Sequence, residues 1–248
     1  AARHPVADVL LLDNTWIGAL APLLLDIPAT ADDTATLPHS FRVDGRQVAL
    51  PLYRDIGLLF YRRDLLERYH LPVPTRWDEL ERTAMTVQTA ERRAGHPLWG
   101  YVWQGRTSES LVCNALEWAD MQSPVASDGT VRNTTTRLQE GLDRAAGWIG
   151  TISPPGVLTY DEETARGIFQ SGHAVFMRNW VYAWALTNNP ESPIAGHVGV
   201  APLPQETSDA PKGMDGTVYL GIARNTAYPA EALSLLHHLT SAATERRQ

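Results

Sequence analysis

A single cysteine, Cys113, in 248 residues excludes an intramolecular disulfide and any cysteine-built metal cage, and it leaves the redox compartment open. No stretch approaches the ~18 to 20 apolar residues that a membrane span needs, and the opening Ala1-Ala2-Arg3-His4 lacks the apolar core of a signal peptide. There is no basic excess either. The formal charge is -7 and the arginines and lysines are scattered, which argues against a phosphate backbone or an anionic membrane surface and for a neutral or weakly charged small ligand. Enzymatic signatures are missing: no Gly-x-Ser-x-Gly elbow, no His-Glu-x-x-His, no glycine-rich phosphate loop. The eight histidines do not fall at metal spacing, and the adjacent His237 and His238 point about 100° apart on a helix. Neither a metal nor a cofactor is implied. Asp13 and Asp55 could serve as the two carboxylates of a glycosidase, yet nothing marks one of them as a desolvated acid. Repeats and low-complexity tracts are also absent.

What is present is an apolar fraction of 44 %, enough to bury one large core or two modest ones. Short apolar runs alternate with helical patterns, as in proteins that layer strands and helices. The runs predict strands at Val9 to Leu12, Gln47 to Leu52, Leu58 to Tyr61, Gly100 to Trp103, Ala174 to Met177, Val198 to Ala201 and Tyr219 to Ala223. A helix from Thr75 to Ala94 is predicted by Trp77, Leu80, Ala84 and Val87, with Thr75 as cap and Gly95 as stop. A second starts at Thr159, three residues before Glu162 as a capping box demands, and ends near Gly172. A third begins at Pro229 and carries Ala232, Leu235, Leu236 and Leu239 on one face. Asp55-Ile56-Gly57, and Pro202-Leu203-Pro204 with the polar stretch through Lys212, look like changes of domain. Residues 1–54 and 205–248 then form one lobe and residues 55–204 the other.

Eight tryptophans stand beside polar residues as often as inside apolar runs, so some of them are expected to be surfaces. A sugar offers an apolar C–H face and a rim of hydroxyls, and it calls for a flat aromatic beneath and carboxylates or amides around the edge. Arg178, Asn179 and Trp180 supply that combination after a predicted strand. Asp13, Asn14 and Trp16 repeat it at the end of the first strand, where α/β sheets hold ligands, and Tyr53 and Asp55 do so at the first crossover. Each has a plainer reading. Trp180 and Trp184 are spaced like core residues, Asp13 is placed to cap a helix, and Tyr53 and Asp55 suit hinge packing.

Several longer stretches resemble the extracellular solute-binding proteins of carbohydrate ABC importers, most closely their trehalose/maltose-binding branch. They are DVLLLDNTWIGALAPLLL (Asp8 to Leu25), ALPLYRDIGLLFYRRDLLERY (Ala49 to Tyr69), GYVWQGRTSESLVCNALEW (Gly100 to Trp118), WIGTISPPGVLTYDEETARGIFQSGHAVFMRNWVYAW (Trp148 to Trp184) and VGVAPLP (Val198 to Pro204). The resemblance implies an α/β fold of two periplasmic-binding-protein-like lobes, with the ligand in the cleft between them. It implies a stacking role for Trp180 and ligand roles for Asp13, Tyr53 and Asp55. It also implies a monomer outside the cytoplasm, periplasmic or anchored, that delivers sugar to membrane permease subunits. Two positions depart from the family. Ser108 precedes Glu109 where an aromatic is usual, and Gly216-Thr217-Val218 replaces Gly-Gly-Trp, with Tyr219 as the candidate substitute. By the family's pattern, strand-helix units should precede Asp8 and further helices should follow Gln248. A carbohydrate-active enzyme and a degenerate relative acting as an interaction module are the alternatives.

Overall fold

Side-chain alternation builds the first of two sheets. The computed structural model describes residues 7–28, 41–121, 135–206 and 213–245, and its strands are β1 (Val9–Asp13), β2 (Phe41–Val43), β3 (Arg46–Tyr53), β4 (Leu58–Arg62), β5 (Trp99–Val102), β6 (Ala174–Asn179), β7 (Val198–Pro202) and β8 (Val218–Ile222). The helices are α1 (Ile17–Leu20), α2 (Arg63–Arg68), α3 (Trp77–Arg93), α4 (Glu109–Trp118), α5 (Thr135–Trp148), α6 (Glu162–Gln170), α7 (Ala183–Thr187), α8 (Pro229–Leu239) and α9 (Ala242–Glu245). The chain divides into unit one, residues 1–55 with 216–248, and unit two, residues 56–215.

In unit one the strand order is β1-β8-β3-β2 and every pairing is antiparallel. Successive residues of β8 serve opposite faces, as the pleat requires. Tyr219 joins Leu12, Ile17, Leu24 and Val48, while Leu220 and Ile222 join Ile27, Leu50, Ala232 and Leu236 beneath α8. β2 is a strand that sequence reasoning missed. Asp44 (φ 50°) and Gly45 (φ 77°) turn the chain between β2 and β3, and an Asp-Gly pair is the hairpin signal that could have revealed it.

Unit two has the order β5-β6-β4-β7. Only β5 and β6 run parallel; β4 pairs antiparallel with both β6 and β7. All six residues of β6 are buried, so the run AVFMRN shows no polar face. The core is aromatic: Trp77 meets Trp148 at 5.7 Å, Trp148 meets Trp118 at 5.8 Å, and Trp118 meets Trp103 at 4.9 Å. Pairs of this kind add about 0.5–1.5 kcal/mol each beyond the area they bury. Half of the eight tryptophans are therefore filling.

Helix starts differ in detail from expectation. Glu79, not Thr75, closes the first turn of α3: its Oε2 accepts from Thr75 N (2.9 Å), Thr75 Oγ1 (3.0 Å) and Arg76 N (3.2 Å). Asp161, not Thr159, caps α6, with Oδ1 accepting from Thr164 N at 2.9 Å; Thr159 ends a 3₁₀ turn, Pro155–Thr159, and donates its hydroxyl to Gly156 O. α8 begins at Pro229 as the sequence indicates, but Leu235 turns outward, because Ala232 and Leu236 and, in part, Leu233 and Leu239 form the face toward the sheet. The chain leaves unit one after Asp55 and returns at Gly216, so the return lies beyond the expected 204/205. Gln205 N donates to Thr75 O (3.0 Å) and Glu206 N to Asp120 Oδ2 (2.7 Å), which ties these residues to unit two. The polar stretch at 207–212 lies outside the described residues. Among the described residues no helix is long and apolar enough to cross a membrane.

Candidate functional site

Two clusters of expected site residues form, one at a sheet end of each unit. In unit one, Asp13 at the end of β1 and Tyr53 at the end of β3 both sit opposite Val218 at the start of β8. They are therefore about 10 Å apart, two strand spacings, with Asn14 and Trp16 in the turn after β1 and Asp55 after β3. Asp13 Oδ1 accepts from Thr15 N at 2.7 Å and Thr15 Oγ1 at 2.6 Å, a local turn that faces the carboxylate along the loop. The cap residue of α1 is Trp16, so Asp13 is not a helix cap. The Trp16 indole is 54 % exposed and the Tyr53 ring 42 %. Partial burial, then the nearby Asp55 charge, raises the Tyr53 pKa, so the phenol remains a neutral hydrogen-bonding group. Gly216 N donates to Asp55 O at 3.0 Å, holding the start of β8 beside the end of β3.

Tyr219 does not fit its expected role. Its ring is 5 % exposed and meets Phe41 edge-on at 5.6 Å and 90°. One step along the pleat from Val218, it points into the core of unit one instead of offering a stacking face.

In unit two, β6 delivers Trp180 just past its last residue. Arg178 and Asn179, expected as ligand contacts, are both fully buried and held by the protein itself. Asn179 Oδ1 accepts from Trp180 N (2.8 Å) while its Nδ2 donates to Glu162 O (3.1 Å). Arg178 forms a two-pronged pair with Glu117, Nε to Oε2 at 2.9 Å and Nη2 to Oε1 at 2.7 Å. Burial opposes the Arg178 charge, but the Glu117 carboxylate and its hydrogen bonds outweigh that and raise the guanidinium pKa. The guanidinium carbon lies 3.9 Å from the Trp180 ring centroid, a cation–π contact. These two residues are thus the mount of Trp180 rather than partners of a ligand. The indole is half-buried, with one face on Arg178 and Nε1 donating to Glu162 Oε1 at 3.3 Å. Glu109, the exposed first residue of α4, neighbours Ser110, whose hydroxyl donates to the same Glu162 oxygen.

Two candidates that sequence reasoning did not single out are Glu162, which bonds the Trp180 indole, and Tyr182. Tyr182 is exposed, and its hydroxyl donates to Glu163 Oε1 at 2.7 Å. Its pKa is raised, by desolvation first and by the bond to Glu163 second. Trp184, two residues on, is 45 % exposed, so its helical spacing from Trp180 does not make it core. The signal that could have found Tyr182 is the alternation of aromatics at 180, 182 and 184, directly after a wholly buried strand. Among the described residues no group of three or more histidine, cysteine, aspartate or glutamate side chains could hold a metal ion. Flat aromatics beside oriented carboxylates are equipped to recognise apolar ring faces and hydroxyls.

The family described as bacterial extracellular solute-binding protein matches residues 1–246. A "probable ABC transporter-binding protein" of Deinococcus radiodurans is 37 % identical, over 100 % of this chain and 61 % of its own length. The structure of a maltose-bound T. maritima MalE3 superposes with a TM-score of 0.84 at 39 % identity, covering 98 % of this chain and 64 % of that one. An acarbose-binding receptor, GacH of Streptomyces glaucescens, shares the fold at a TM-score of 0.77 and 20 % identity, over 97 % of this chain and 62 % of its own. The chain thus spans somewhat under two thirds of the length of these relatives. With its two mixed α/β units and its match along nearly the whole sequence, the chain belongs to the bacterial extracellular solute-binding proteins.

Proposed function

We propose that this protein is the substrate-binding component of an ABC sugar importer and that it takes an α-glucoside disaccharide such as maltose or trehalose. The observation that carries the reading is the mounting of Trp180. A half-buried indole backed by a buried guanidinium, with Glu162 at its edge and the exposed Tyr182 close by in sequence, suits one face of a pyranose ring. Further support comes from the 39 % identity to a protein solved with maltose and the 37 % identity to a probable ABC transporter-binding protein.

In this reading the sugar bridges the two units. Trp180 and Tyr182 lie against ring faces, with Glu109 near the rim. Asp13, Asn14, Trp16, Tyr53, Asp55 and the Gly216 backbone meet the hydroxyls from unit one. Contacts to both units favour the closed state, which permease subunits then read. The protein works as a monomer on the extracytoplasmic side of a bacterial membrane, free or lipid-anchored. It binds its sugar and does not cleave it, and the acidic groups of both clusters act as hydrogen-bond acceptors.

Stacking contributes about 0.5–1.5 kcal/mol beyond buried area, and a hydrogen bond to a charged carboxylate about 1.5–3 kcal/mol. Isothermal calorimetry with maltose, trehalose and sucrose tests the proposal. Heat is expected with at least one α-glucoside, and Trp180→Ala is expected to weaken it about tenfold. Equal affinity of wild type and Trp180→Ala would sink the site, and silence with all three sugars would sink the ligand class.

A further inference from the structure

Glu117 is a buried charge with no place in the ligand contacts above. Besides the two bonds to Arg178, its Oε1 accepts from Met214 N at 2.9 Å. Gly57 lies against the same fork: a Cβ there would fall 2.1 Å from Glu117 Oε1 and 2.7 Å from Arg178 Nη2. Gly57 N in turn donates to Met214 O at 3.1 Å, and Ile56 and Asp215 form an antiparallel bridge. The unit-two ends of both chain crossings are therefore joined over one carboxylate. The guanidinium that this carboxylate holds is the one packed behind Trp180.

Stability alone does not account for the arrangement, because the desolvation cost of a buried ion pair can exceed what its attraction returns, and an apolar pair often serves as well. A two-pronged arginine–carboxylate pair supplies geometry instead. Two parallel bonds fix the plane of the guanidinium, and that plane carries the indole. With no room for a methyl group at Gly57, a shift of residues 56–57 or 214–215 presses on the fork and so on the ring.

We propose that Glu117 is a positioning residue of the sugar site: acting through Arg178 it sets the plane of the Trp180 ring, and acting through the Met214 amide it couples that ring to the two chain crossings. The functional half of this proposal rests on Trp180 being a sugar platform; the structural half does not need a ligand.

The test uses the full chain labelled with 5-fluorotryptophan, with the Trp180 resonance assigned by Trp180→Phe. The double variant E117Q/R178M removes both charges at similar volume and is expected to fold, which its thermal midpoint checks. Its Trp180 resonance should shift and broaden while that of Trp184 stays, and exchange of the Met214 amide should rise about tenfold. Maltose affinity should fall about tenfold when Trp180 is present and hold steady in a Trp180→Ala background. An unmoved Trp180 resonance in the folded double variant overturns the proposal. So does an equal loss of maltose affinity in both backgrounds. If the wild type binds no maltose, the sugar reading falls and the fluorine and exchange measurements still decide the positioning role. If E117Q/R178M fails to fold, Gly57→Ala takes its place: it keeps both charges and drives a methyl into Oε1, with the same shift expected and an unmoved resonance again overturning the idea.

Discussion

At the end of β6 an indole is backed by a buried guanidinium, which is gripped by a buried carboxylate, with an amide bonding the backbone on one side and a glutamate on the other. At the end of β1 an aspartate is oriented by one exposed turn of two residues, and the neighbouring Trp16 lies open to solvent. Both ends combine an acid, an amide and an aromatic. In unit two the orientation of the aromatic is written into the core, so disturbing it costs folding energy; in unit one it is local, so disturbing it costs little.

The largest effect that sharpens this contrast is expected from Arg178→Ala. It strands Glu117 without its counter-charge and should remove about 3–5 kcal/mol from urea unfolding, against less than about 1 kcal/mol for Asp13→Ala at an exposed turn. Equal losses at the two positions would break the comparison. Next comes acid sensitivity, carried by another buried carboxylate of unit two. Glu91 accepts from Arg68 Nη1 (2.8 Å) and Tyr69 Oη (2.7 Å) and pairs with His96 Nδ1 (3.1 Å). Burial pushes its pKa up, but these partners outweigh burial and hold it below the ordinary 4.5. A carboxylate with a lowered folded pKa stabilises above its unfolded pKa and loses that contribution as pH falls through the folded one. Glu91→Gln should therefore be less stable than wild type by about 1–3 kcal/mol at pH 7. The gap should narrow steadily as pH drops below 4.5; a gap that stays constant from pH 7 to pH 3 counts against the assignment. A smaller effect, about 1 kcal/mol, is expected from Asp161→Ala, which uncaps α6 beneath Glu162, and thermal unfolding reads it. The smallest, about 0.5 kcal/mol, belongs to Thr15→Val. Unfolding should barely register it, while calorimetry with maltose should show a weakened Asp13 contact.

Much of the fold was legible because strands announce themselves by alternation or by unbroken apolar runs. Val9 to Leu12 and Ala174 to Met177 both read clearly as unbroken apolar runs. β2 was overlooked because three residues carry too little pattern, although Asp44-Gly45 marked the hairpin. The placement of Trp180 was legible too, since it follows a strand and sits beside polar residues. What the string hid was direction. Residues two apart on a strand share a face, so Arg178 lies under Trp180 and not beside a ligand, and Asn179 faces the other way into its own backbone contacts. Tyr219 turns into the core for the same cause, one step along the pleat. Glu117 was out of reach of any local pattern: it stands between Leu116 and Trp118 on α4, and its partner is 61 residues away in sequence.

The tryptophan chain of unit two has an optical consequence. Seven of the eight indoles lie in residues 56–215, and only Trp16 belongs to unit one. Trp77, Trp148, Trp118 and Trp103 are in ring contact, close enough for excitation absorbed by one to pass to its neighbours. Intrinsic fluorescence thus follows the melting of one half of this molecule and is nearly blind to the other.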